Sequence, residues 1–409
     1  MLERLTRRIG EGLVAAALVL PVWALPALAQ PAVAPIFETD ARQAILIDST
    51  NDAVLYTKEP DAPFAPASLA KLMTLAVTFD EIKRGFLTPT APFTVSQNAW
   101  RTGGAPARTT TMFARVGSEV TVKDLIRGTA IVVANDGAIA LAEGIAGSEE
   151  KFAERMNAMA KEMGLTSSVF VNSTGLPAPG ARTSVRDLAR IAQWVITRNP
   201  DMYPVFSEPE IDFGGVRQLN RNPLMGQYEG TDGMLIGSIA GEGHIIVASA
   251  VRGGKRLIAV LGGLADEKVR LRATSALLDW GFTGYIDRDL FAKGDMVATA
   301  QVFGGTQGSV KLVAQEKVTL PVPKDGNSRI SARVVYRGPI TAPVSRGDRI
   351  GVLRIWRDNL LQREVPLIAD ENIEEGSLFQ RAFDAGYEII AGALHPYAVK
   401  LFPWLFTGG

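Results

Sequence analysis

The chain has 409 residues, enough for two or three domains with a core each, and it is 47% hydrophobic, as an ordinary globular protein is. Its 43 basic and 43 acidic residues cancel without a long run of either sign, which leaves no electrostatic footprint for nucleic acid. It has no cysteine and two histidines, His244 and His395, so thiol chemistry and disulfides are excluded, a multi-histidine metal site is disfavoured and no cofactor is called for.

The first 29 residues predict a signal peptide: Arg4, Arg7 and Arg8, an apolar run from Leu13 to Leu25, and Ala27-Leu28-Ala29 before Gln30. An uncleaved anchor is the alternative, but Pro21 and Pro26 interrupt the run. Export is expected, with a bacterial periplasm as the compartment. Past a Pro/Ala linker, Ala44–Asp48 and Ala53–Tyr56 predict a β-hairpin. An amphipathic helix follows from Ser68, with Leu69, Leu72, Met73, Ala76, Val77 and Phe79 on its apolar side, stopping near Gly85. Helical patterns then run to about residue 200, including Val122–Gly144 and Ser148–Met163. Strands return at His244–Ala250 and Leu257–Leu261, before a helix over Lys268–Trp280.

This order predicts an α/β sandwich over residues 36–285 whose sheet contains both ends of the segment. Short alternating runs over 287–370 predict a small all-β domain. From Glu374 to Leu394, Leu378, Phe379, Ala382, Phe383, Ile389 and Ile390 line one side of a tail helix. That helix and the Phe402–Phe406 aromatics suit a membrane surface; packing on the β-domain is the alternative.

One pair offers covalent chemistry. A Ser-His-Asp triad would rest on one of two histidines with no nucleophile motif beside it, whereas Ser68 and Lys71 lie one helical turn apart. Ser68 follows Pro66 where the chain enters an apolar helix, so its hydroxyl meets a positive helix terminus. A buried lysine there loses pKa and becomes a base. Ser148-Glu149-Glu150-Lys151 repeats the spacing but reads as a solvated helix start. Asp136 and Glu143 read as caps or local ion pairs, and His244 as structural.

Pro66–Thr74 resembles the nucleophile helix of the low-molecular-mass penicillin-binding proteins, the serine D-Ala-D-Ala carboxypeptidases. Trp100–Gly104, Asn172–Pro177, Asn220–Leu224 and Asp279–Phe282 resemble further segments of that family, in its order. The resemblance implies the serine β-lactamase/penicillin-binding-protein sandwich, peptidoglycan stem peptides as substrate, and β-lactams as a further class of ligand. It implies Ser68 as nucleophile, Lys71 as base, an oxyanion hole from the backbone N–H groups of Ser68 and Ser238, and Arg270 for the substrate carboxylate.

Two of the family's three motifs are altered. Ser-x-Asn reads Val133-Ala134-Asn135, and Lys-Thr-Gly reads Leu235-Ile236-Gly237. Valine cannot relay a proton, leucine supplies no charge to depress the pKa of Lys71, and isoleucine cannot hydrogen-bond a carboxylate. Asn135 and Gly237 keep substrate amide pairing and close approach to the edge strand. Three readings stay open: a weakened carboxypeptidase with Arg270, Arg252 or Lys255 as replacement cation; a non-catalytic peptidoglycan-binding scaffold; and a β-lactam hydrolase, for which no deacylating carboxylate stands out.

Overall fold

The structure, a computed structural model, describes residues 37–324 and 328–382. The segment expected to be a signal peptide, the linker, His395 and the tail beyond residue 382 lie outside the described residues. β1 (Gln43–Asp48) and β2 (Ala53–Lys58) form the expected hairpin. Its turn is set by Asp48, whose buried carboxylate accepts from the N–H groups of Thr50 at 3.0 Å and Asn51 at 3.3 Å.

α1 (Ala70–Lys83) follows, then the short ladder of β3 (Pro92–Thr94) with β4 (Glu119–Thr121). Next come α2 (Val122–Ile131), α3 (Asn135–Ala146), α4 (Glu149–Glu162) and α5 (Val185–Arg198), then the hairpin of β5 (Glu210–Phe213) and β6 (Val216–Leu219). The domain closes with β7 (Thr231–Gly233), β8 (Ile236–Ile239), β9 (Gly243–Arg252), β10 (Lys255–Leu264) and α6 (Glu267–Thr283). β2-β1-β10-β9 form an antiparallel sheet, with β7 and β8 both pairing along the free side of β9.

Side-chain alternation gives this sheet two buried faces. Ile45, Ile47, Val247, Ile258 and Val260 pack against α1 and the helices around it. Leu46, Ile246, Ala248, Leu257 and Ala259 pack beneath α6 with Leu277 and Leu278. The expected sandwich is therefore three layers deep, its sheet joining the first two strands of the segment to its last strands, with α6 following them.

Two expectations for the helices are corrected. α1 is not amphipathic: Ala70 to Phe79 are all buried, because the helix lies between the sheet and the other helices. Its hydroxyls are accommodated by carbonyls, Thr78 Oγ1 donating to Thr74 O at 2.8 Å and Thr74 Oγ1 to Ser173 O at 2.7 Å. The single helix read over 122–144 is two helices, broken at Val132–Ala134, where Val133 takes a left-handed φ of 60°.

The second domain starts at residue 285, directly after α6. It contains β11 (Tyr285–Phe291), β12 (Met296–Phe303), β13 (Ser309–Ala314), β14 (Val318–Pro323), β15 (Ile330–Tyr336), β16 (Ile340–Thr341), β17 (Arg349–Arg357) and β18 (Leu360–Ala369). One sheet runs β15-β17-β18-β13-β12-β16; β11 and β14 pair separately. Val310, Leu312, Leu320, Leu353, Ile355, Val365 and Leu367 make its own core. Arg357 and the Tyr285 hydroxyl tie it to the first domain, both donating to Leu55 O, at 2.5 and 3.1 Å. The tail helix starts later than the pattern suggests. Glu374 and Gly376 still bond Thr306 and Gly304, and helix begins at 378 behind a reciprocal Ser377–Gln380 cap.

Candidate active site

Three pieces of chain make up the candidate site: the Ser68 turn with the loop packed on it, the α2–α3 break whose Asp136 acts on Lys71, and the edge strand beside Ser68. The first is the turn that holds Ser68. Residues 67–69 form a 3₁₀ turn that runs into α1, Ala67 takes a φ of 46°, and Ser68 stays half-buried at the mouth of the site. Lys71, one turn on, is fully buried, and its Nζ donates to the carbonyl of Thr174 at 2.8 Å. The Ser68 hydroxyl makes no hydrogen bond among the described residues. The amine expected beside that hydroxyl is thus bonded to a loop carbonyl, and no hydrogen bond joins the two side chains among the described residues.

That carbonyl belongs to Asn172–Gly175, which packs directly on the Ser68 turn. A Cβ on Gly175 would stand 1.6 Å from Ala67 O, so only glycine fits. The loop is pinned from behind by Glu149, whose carboxylate accepts from Ser173 Oγ at 2.6 Å and Ser173 N at 3.2 Å. Ser148 caps α4 as expected, yet the helix start is not merely solvated: Glu149 holds the loop that holds Lys71. Sequence reasoning missed both Thr174 and Glu149. The only signal was the Asn-Ser-Thr-Gly segment itself, because a backbone acceptor leaves no side-chain signature.

The second piece is the break between α2 and α3. Thr110 grips it twice, its Oγ1 donating to Val133 O at 2.7 Å and its carbonyl accepting from Asn135 N at 2.8 Å. Asp136, fully buried, accepts from Thr111 Oγ1 at 2.6 Å and from the N–H groups of Met112, Ala114 and Gly137. These bonds hold a β-branched residue in a conformation that costs on the order of 1–3 kcal/mol. Asn135 is 3% exposed and its Oδ1 has no partner among the described residues, a buried acceptor left open. Gly103 closes the wall, since a Cβ there would lie 2.4 Å from Asp136 N. Glu143 accepts from Asn98 Nδ2 at 2.9 Å.

The third piece is the edge strand β8. The Cβ position of Gly237 lies 3.5 Å from Ser68 N, which puts this strand alongside the Ser68 turn. Leu235, 1% exposed, and Val133 belong to the same apolar core cluster. Ile236 is half-buried, and Ser238 is exposed, paired across the sheet with His244. Arg270 is 3% exposed on α6, with a guanidinium nitrogen 3.5 Å from Gly237 O and another 3.6 Å from Glu267.

Two suggested replacement cations are not in this group. Arg252 and Lys255 sit at the β9–β10 turn, the far end of β9 from the Ser238–His244 pair. Arg252 bonds Asp279 at 3.0 Å and stacks on Tyr228; Lys255 bonds Asp48 at 2.9 Å. Only Arg270 of the three reaches β8.

Two expectations for Lys71 oppose each other, that burial lowers its pKa and that the missing strand lysine leaves it higher. Burial dominates and lowers the amine to about 7, against the opposing pull of Asp136 and Glu149.

A three-layer sandwich with a serine at the head of its central helix, followed by an all-β domain, is the penicillin-binding-protein fold. The profile described as D-alanyl-D-alanine carboxypeptidase matches residues 28–264, and that of the penicillin-binding protein 5 C-terminal domain matches 285–375. The chain belongs to the D-alanyl-D-alanine carboxypeptidase family, serine peptidases that act on peptidoglycan. It is 35% identical to D-alanyl-D-alanine carboxypeptidase DacC of Escherichia coli over 91% of this chain and 94% of that one. Penicillin-binding protein 5 from Haemophilus influenzae superposes with a TM-score of 0.72 at 31% identity, covering 83% of this chain and 99% of that one. Penicillin-binding protein D2 from Listeria monocytogenes, in its ampicillin-bound form, matches 61% of this chain and all 100% of that one at 26% identity and a TM-score of 0.53.

Proposed function

We propose that this chain is an exported D-Ala-D-Ala carboxypeptidase that works through a Ser68 acyl-enzyme at a reduced rate. Ser68 Oγ attacks the carbonyl between the two terminal D-alanines of a stem peptide, and Lys71 takes its proton. The C–N bond breaks, D-alanine leaves with that proton, and water then hydrolyses the ester. The observation that carries this reading is Lys71: fully buried, held by Thr174 O, lowered to about 7, and one turn from a hydroxyl that has no competing partner among the described residues. The open Oδ1 of Asn135 suits a substrate amide N–H, and Arg270 suits the terminal carboxylate.

The reduced rate follows from what the walls lack. No hydroxyl at Val133 relays the proton to the leaving amine, and no hydroxyl at Ile236 shares the carboxylate with Arg270. Losing an acid–base participant costs about 10²–10⁴ in rate. Export rests on residues 1–29, and a membrane-facing tail on Leu378 and Phe379, which are 79% and 81% exposed at its start.

Non-catalytic peptidoglycan binding is the competing reading, favoured by the apolar burial of Val133 and Leu235. Val133→Ser separates the two. With a hydroxyl restored on a turn already shaped for it, acylation by a fluorescent penicillin should quicken about tenfold or more. An unchanged rate in a folded variant would count against a proton-relay defect; absent acylation in both forms would favour the scaffold.

A further inference from the structure

The outer face of the β15-β17-β18 sheet carries a cavity of about 690 Å³ lined by Arg329, Ser331, Arg333, Trp356, Asp358 and Asn359. The strand period puts them together. Ile355 is fully buried in the domain core, so Trp356 faces outward, opposite Ser331, with Arg333 opposite Arg354. Trp356 remains partly exposed, although nothing about a β-domain core requires an indole on its solvent face. The rim is fixed: Asp358 takes a left-handed φ of 54° at the β17–β18 turn, accepts from Arg329 N at 3.1 Å, and returns its own N–H to Arg329 O at 2.8 Å.

The charges are also uncommitted. Arg354, on the same face, is engaged by Glu364 at 2.6 Å. Arg329 and Arg333 are exposed and make no ion pair among the described residues. Four residues of strand set their attachment points about 13 Å apart, on either side of the indole.

We propose that this cavity is a second peptidoglycan-binding site, which takes a carboxylate-bearing saccharide–peptide segment. An indole flanked by two free guanidiniums, an amide and a carboxylate fits a pyranose ring stacked on Trp356 by its C–H face. Asp358 and Asn359 then meet hydroxyl and acetamido groups, and Arg329 and Arg333 hold stem-peptide carboxylates. The Asp358 carboxylate inside the concavity opposes the alternative, an anionic lipid surface. Trp356 adjoins Arg357, whose guanidinium reaches Leu55 O, so the site lies at the edge of the β-domain nearest the catalytic domain. A polymer held there stays beside the enzyme between turnovers. This inference rests on the family's action on peptidoglycan, but not on the activity of Ser68.

The test is titration calorimetry of the full mature chain with disaccharide–tetrapeptides released from sacculi by a muramidase, together with co-sedimentation on intact sacculi. Trp356→Ala and the double variant Arg329→Ser/Arg333→Ser should each weaken binding at least tenfold. Trp356→Phe should restore most of it, and the double variant should also flatten the salt dependence. Penicillin acylation should be the same in all of them, which separates failure here from failure of the Ser68 reading. Undiminished binding in Trp356→Ala would overturn the proposal. So would binding confined to phosphatidylglycerol vesicles, or a loss explained by a lowered unfolding temperature that Trp356→Phe does not rescue.

Discussion

Lys71→Met is expected to slow acylation of Ser68 by about 10²–10⁴ while making the folded chain more stable. Lys71 is fully buried with a single hydrogen bond, to Thr174 O, so its charged form is poorly solvated. The unfolded chain holds this proton up to the ordinary lysine value of 10.5, the folded chain only up to about 7. Between those values the unfolded state binds more protons, so stability rises with pH across the window and is lowest below about 7. The penalty on the acid side is on the order of 4–5 kcal/mol. Methionine removes that penalty at similar volume and leaves Thr174 O without its donor, a cost of roughly 1–3 kcal/mol. The gain in unfolding temperature should therefore be largest below pH 7 and vanish towards pH 10. Thermal melts of both proteins across pH check the stability, and penicillin labelling checks the rate. The same neutral amine predicts that wild-type acylation climbs through about pH 7 and levels above it. A Lys71→Met protein that melts lower at acid pH would contradict this account.

The second large effect is expected at Gly175, which no substrate needs to touch. Its φ is 75°, and a Cβ there would lie 1.6 Å from Ala67 O and 2.4 Å from Ala67 C. Both obstacles are backbone, so no rotamer relieves them; the Asn172–Gly175 loop or the nucleophile turn must move. Gly175→Ala should cost about 3–5 kcal/mol from strain and overpacking combined. It should also pull Thr174 O away from Lys71, lowering acylation by more than the loss of stability explains. Gly180 supplies the control. It has a φ of 84° in the same segment and nothing within 4 Å, so Gly180→Ala should cost only about 1 kcal/mol and leave acylation intact. Equal effects of the two substitutions would show that the close approach is unimportant.

How much of this was legible depended on whether the determinant was a side chain. The Ser68–Lys71 spacing, the hairpin at Asp48 and the alternation of the β-domain are written in residue type, and the fold follows from them. The break at Val133 was hidden, because an apolar run from Val122 reads as one helix unless the left-handed residue is glycine or asparagine. Tertiary bonds from Thr110 and Asp136 impose that turn on a valine that does not favour it. Thr174 O was hidden because every residue has a carbonyl. The ionisation of Lys71 was half legible: the sequence displays the missing charge at Leu235 and places the lysine in an apolar helix, but does not show that its burial is complete.

The most direct measurement is intact-mass analysis of the mature protein after incubation with benzylpenicillin, with Ser68→Ala alongside. The account predicts a slow one-to-one adduct that maps to Ser68, is absent from the variant, and forms faster above about pH 7 than below it. No adduct after hours at high β-lactam concentration, from protein shown to be folded, would contradict it. The Ser68–Lys71 pair would then be only part of the packing.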